Sequence, residues 1–128
     1  MALFGPFNSG AAVGSNGVAT ISATSTAPLV GFVNWAYIKY NDSPPAATTD
    51  VAIATLGTSP SAPSRAILTI ANAATAGYFH PRINAVDQTG SAISGVYEMI
   101  PIHDYVKVTV TGANAADNVD IWLDIVPV

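Results

Sequence analysis

The chain predicts an all-β fold, a β-sandwich or jelly roll of about eight short antiparallel strands. Three observations carry this. Its best-patterned segments alternate apolar and polar residues, the period at which a strand turns successive side chains to a core and to water. Clusters of Gly, Pro, Asn and Asp break the chain at short intervals, as turns require. The nearest thing to a helix is Ala71–Ala76, at most one turn.

In order, residues 1–17 are rich in Gly, Asn, Ser and Ala and read as an extended N-terminal arm, with a frayed terminus as the alternative where no partner is present. Leu3, Phe4 and Phe7 are bulky enough to dock such an arm on a neighbour. Residues 18–128 read as a single β-sandwich domain, and 128 residues is an ordinary size for one core. The expected strands are Val18–Thr26, Val30–Tyr40, Asp50–Gly57, Arg65–Ala71, Tyr78–Val86, Gly95–Pro101, Tyr105–Thr111 and Val119–Val126. In Tyr105–Thr111 the residues Val106, Val108 and Val110 share one face. In Val119–Val126 the dry face takes Val119, Ile121, Leu123 and Ile125, leaving Asp120, Trp122 and Asp124 for solvent.

Composition narrows the function. Half of the residues are hydrophobic and only 9% are charged, against about 25% in an average domain. Such a chain either carries a neutral surface of small polar residues or hides much of its outside against partners. The formal net charge is −4, and the four basic residues, Lys39, Arg65, Arg82 and Lys107, are scattered. No basic patch forms from that pattern, so no nucleic-acid partner is expected. There is no cysteine, which excludes disulfides and thiolate metal sites. No apolar run approaches the roughly 20 residues of a membrane span, and no membrane partner is expected. The first residues lack the pattern of a signal peptide, so synthesis and assembly in the cytoplasm are expected.

Candidate chemistry is sparse. His103 and Asp104 are adjacent, but neighbours on a strand face opposite ways, so a turn-capping Asp beside an exposed His is expected rather than a catalytic pair. Asp117-Asn118-Val119-Asp120, with Asp124 beyond, lacks the D-x-[DN]-x-[DN]-G order of a calcium loop. Asn41-Asp42-Ser43 is a glycosylation sequon followed by proline, a weak signal. No catalytic residue, cofactor or metal site is assigned, and the chain is not expected to be an enzyme. Trp35, Tyr37, Tyr40, Tyr78, Tyr97 and Trp122 suit two readings: packing in the core and at subunit contacts, which is preferred, or a sugar-stacking platform. Tyr78-Phe79-His80-Pro81-Arg82 is the most distinctive run. Pro81 should end a strand ladder and either present Arg82 to a carboxylate or a backbone carbonyl on a neighbour or leave it solvated on a surface turn, two readings of equal weight.

The series Thr48-Thr49-Asp50-Val51-Ala52-Ile53, then Tyr78–Arg82, then Pro101-Ile102-His103-Asp104-Tyr105-Val106-Lys107-Val108-Thr109-Val110 resembles a family of small tailed-bacteriophage virion proteins. In that family a TDVTI-like strand, an aromatic-Tyr-Pro-Arg run and an I-K-V-x-V strand precede a Gly-rich turn and a last strand. Gly112–Ala116 and Asp120–Val126 stand in those places here, and His80 interrupts the usual direct Tyr-Pro. The resemblance implies a decoration or cement protein on the capsid surface of a double-stranded DNA phage. Its partner would be the major capsid protein, and it would be a homo-oligomer, a trimer. On that reading Leu3, Phe4, Phe7, His80 and Arg82 are the candidate partner-binding residues. The alternative is a carbohydrate-binding, lectin-like fibre or tail component using Trp35, Tyr37 or Trp122. A hydrolase built on a serine and His103 is a third reading with little to carry it.

Overall fold

A computed structural model describes residues 2–41, 45–57, 63–72 and 76–128. The described residues contain no helix and eleven strands: β1 (Ala2–Asn8), β2 (Ala19–Thr24), β3 (Leu29–Tyr40), β4 (Asp50–Thr55), β5 (Ala66–Ile70), β6 (Gly77–Phe79), β7 (Ile83–Val86), β8 (Ala92–Glu98), β9 (Ile100–Asp104), β10 (Val106–Ala113) and β11 (Val119–Val126). The helical turn expected within 71–76 falls partly on residues 73–75, and the sequon on residues 42 and 43; both lie outside the described residues.

The fold is a β-sandwich. One sheet runs β1-β11-β3-β6, with β9 also paired to β3; the other runs β2-β10-β4-β5. Every pairing is antiparallel. The alternation read from β10 and β11 is the alternation that packs. Val106, Val108, Val110, Val119, Ile121 and Leu123 are essentially fully buried. They meet Val51 and Ile53 of β4 and Val33 and Ile38 of β3 between the sheets. Each such side chain contributes about 1.5–3 kcal/mol by leaving water.

The pairing is nested: β1 with β11, β2 with β10, β3 with β6 and β9, β4 with β5. An antiparallel ribbon folded once and rolled up gives this order, and it places the first strand at a sheet edge beside the last. Residues 2–8 are extended, then, but as an edge strand and not as a separate arm. Phe4 lies opposite Leu123 and Phe7 opposite Ile121. The register shift between them sends both rings inward, 5.5 Å apart, onto the core. Gly5 lets the chain pass this close to β11: its φ is +125° and a Cβ there would lie 2.5 Å from the Ile121 carbonyl oxygen. Beyond β1, the Ser9 amide donates to the Val119 carbonyl at 2.9 Å and the Ala12 amide to the Asp117 carbonyl at 2.8 Å. The expected boundary between 17 and 18 therefore separates nothing.

Two expected strands are each divided. Tyr78–Val86 becomes β6 and β7, parted at His80-Pro81-Arg82, because Pro81 has no amide to continue a ladder. Gly95–Pro101 becomes parts of β8 and β9. Both divisions also follow from the topology. β6 pairs with Ala36–Ile38 and β9 with Leu29–Val33, so they lie in line along the same strand. The β7–β8 hairpin is looped out between them.

Candidate functional site

The gap between β6 and β9 falls opposite Asn34 and Trp35 of β3. Asn34 is the extra residue of a bulge, since Asp124 faces Trp35 while Ile125 faces Val33. With no strand beside it, the Asn34 carbonyl accepts instead from Arg82 Nη1 at 2.8 Å. The same nitrogen donates to the Pro81 carbonyl at 2.8 Å. Arg82 thus finds the backbone carbonyl expected for it inside its own chain. Asn34 Nδ2 in turn donates to Asp124 Oδ2 at 3.0 Å. Asp124, expected in solvent with Asp120, is buried. The reason is this bulge together with Leu3 and Trp35, which flank it at the paired positions of β1 and β3.

Next to this network, on the outer face of the β1-β11-β3-β6 sheet, Leu3, Trp35, Tyr37, Tyr78 and Trp122 line a cavity of about 280 Å³. The rings pack edge-on and tilted: Trp35 on Tyr78 at 5.2 Å and 80°, Tyr37 on Tyr78 at 4.6 Å and 57°, Tyr37 on Trp122 at 5.5 Å and 63°. Strand geometry dictates this grouping. Trp122 pairs with Tyr37 and Tyr37 with Tyr78, so three adjacent strands bring aromatics into one row. The result is a cup and not a flat platform. Of the six aromatics expected to serve packing, Tyr40 alone is in the core. Tyr78 is 64% exposed, and Leu3, the fourth strand's contribution, is 60% exposed.

The β7–β8 hairpin is a second surface. It joins neither large sheet. Ile83 at its base packs against the core, whereas every residue of β8 is exposed, among them Ile93, Val96 and Tyr97, with Val86 across from them. Its turn is well bonded. Asp87 Oδ1 accepts from the Thr89 hydroxyl at 2.6 Å, the Thr89 amide at 2.8 Å and the Ser91 amide at 3.1 Å. These bonds, the Thr89 hydroxyl first, hold the Asp87 carboxyl below its ordinary pKa. Asn84 Nδ2 reaches the Val96 carbonyl at 3.4 Å and the Ile93 carbonyl at 3.5 Å, pinning the irregular middle of the hairpin.

The remaining sequence candidates are spread out. His80 is exposed beside buried Pro81. His103 and Asp104 fall on opposite faces of β9, His103 exposed and Asp104 buried. Asp104 accepts from the Gly57 amide and the Tyr105 amide, both at 2.7 Å, so it ties the junction of β9 and β10 to the chain leaving β4. Asp120 accepts from Asn8 Nδ2 at 2.9 Å. Among the described residues no three His, Asp or Glu side chains are grouped as a metal site would need. Of the partner-binding candidates, Leu3, His80 and Arg82 reach the surface while Phe4 and Phe7 turn inward. The hairpin was missed from sequence; the apolar residues Ile93, Val96 and Tyr97 around Gly95, with no clean alternation, were its available signal.

The chain matches no protein-family model, no curated protein and no solved structure.

Proposed function

We propose that this protein is a structural subunit of a larger protein assembly and acts by burying surface against other chains. The β7–β8 hairpin is the observation that carries this reading. A lone two-stranded hairpin is marginal in water, and this one holds four large apolar side chains in solvent, a costly arrangement unless a partner covers them. The low charge agrees, because interfaces that stay closed are depleted in charged residues.

The resemblance to small phage virion proteins gives the assembly a candidate identity: a decoration or cement protein on the capsid surface of a double-stranded DNA phage. The nested strand order supports reading the sandwich as a jelly roll, an architecture used by viral capsid domains as well as lectins. On this reading copies join as a homotrimer and bind between subunits of the major capsid protein. Trimeric valency multiplies a modest contact into tight attachment. Co-sedimentation with empty heads of the phage that encodes the chain, alongside light scattering of the free protein, tests the proposal. Saturable binding at a fixed ratio to shell subunits is expected, and a protein that stays in the supernatant overturns it.

A further inference from the structure

We infer that the aromatic cup is a binding site for one ring of a neutral sugar. The inference rests on a different observation from the assembly reading: the cup shares no residue with the β7–β8 hairpin that carries that reading, although Leu3 is also one of its partner-binding candidates. The cup is assembled from four strands: Leu3 of β1, Trp35 and Tyr37 of β3, Tyr78 of β6 and Trp122 of β11. Four aromatic rings on the outer face of a sandwich do no core packing, so the core does not account for them there. The cavity, about 280 Å³, is just below the range of roughly 300–1,000 Å³ typical for drug-sized ligands. That is room for one sugar ring.

The lining selects the chemistry. A pyranose has an apolar C–H face and a rim of hydroxyls, and so needs ring faces with hydrogen-bonding groups beside them. The cup supplies both. Tyr37 and Tyr78 bring hydroxyls and the two tryptophans bring indole N–H donors. Among the described residues none of these polar groups has a protein hydrogen-bond partner. None of the lining side chains is charged, and the neighbouring Asp124 carboxylate is buried and engaged by Asn34. The lining offers an anionic or cationic sugar no counter-charge, and the Arg82 guanidinium beside the cup is turned onto the Asn34 and Pro81 carbonyls, so the ligand is neutral.

The chain's only two tryptophans both line the cup, so fluorescence excited at the indole band reports on this site alone. The test titrates the full chain with methyl glucoside, methyl galactoside, methyl mannoside and N-acetylglucosamine into the tens of millimolar. Saturation-transfer NMR serves as the second readout. At least one sugar should give a saturable emission change and transfer to its ring protons. Tyr78→Ala, at a mostly exposed position, should weaken that binding at least tenfold. Tyr97→Ala, an exposed tyrosine on the hairpin, should leave it unchanged. Three results would each overturn the inference: no response to any of the four sugars, a response that Tyr78→Ala leaves intact, or an emission change produced by concentrating the protein without sugar. The last would mean that the cup closes on a second copy. Loss of sugar binding with head binding retained would leave the assembly reading in place.

Discussion

Asn34 donates its side-chain amide to the buried Asp124 carboxylate at 3.0 Å, bridging the bulge of β3 to the adjacent strand β11. Arg82 holds the same asparagine by its carbonyl, so the crossing from β6 to the hairpin is tied to the sheet through one residue. Asp124→Ala leaves the half-buried Asn34 amide without its acceptor, at a cost of about 1 kcal/mol. Urea denaturation should show that loss, with Arg82→Ala, at an exposed position, losing less. An Asp124→Ala midpoint equal to that of the wild type would refute the role given to this contact.

The close approach of β3 and β11 depends on Gly31, whose φ is +144° and where a Cβ would collide with the Val126 carbonyl oxygen and Ile125 Cγ2. Gly31→Ala should lower stability by about 1–3 kcal/mol through backbone strain and forced separation. Gly77, with open space around it and no positive φ, is the control. Gly77→Ala should be neutral or slightly stabilising in the same thermal melt.

The Tyr40 hydroxyl is buried with no protein partner among the described residues, and burial raises its pKa above the ordinary 10.0. The folded state therefore keeps the proton longer than the unfolded chain. Stability is whole below pH 10 and falls as the pH rises toward and through the raised value. Tyr40→Phe should remove this alkaline slope and, by deleting an unpaired buried hydroxyl, match or exceed wild-type stability at pH 7. Guanidinium melts at neutral and alkaline pH check both points.

Asp87 behaves oppositely. Its carboxyl is held below the ordinary value of 3.8 by the Thr89 and Ser91 bonds, so the order it gives the turn is present above that value. It is lost as the pH falls through the lowered one. Amide NMR should show the Thr89 and Ser91 signals moving together below the ordinary aspartate range while the β10 signals stay fixed. Movement of the turn near neutral pH would contradict the geometry.

Where a strand has one dry and one wet face, as in β10, its alternation names the buried side chains directly, and Val106, Val108 and Val110 are where that reading puts them. In β3 the rule weakens, because apolar residues occupy both faces and the bulge at Asn34 shifts the phase between Val33 and Ala36. The same limit hid Asp124, whose burial depends on neighbours from β1 and β3 that no local pattern names. Phe4 and Phe7 are three residues apart, a spacing that predicts opposite faces; a register shift around Gly5 turns both inward. Trp35 and Tyr37 were legible as one face. That Leu3, Tyr78 and Trp122 join them follows from strand order, which is a long-range property.

The most direct test of the central claim compares the wild type with an Ile93→Ser/Val96→Ser double variant in co-sedimentation with empty heads. Both positions are exposed, so the variant should keep wild-type stability to within about 0.5 kcal/mol while its binding drops by an order of magnitude or more. Equal binding of the two proteins, or no binding by the wild type, would contradict the account.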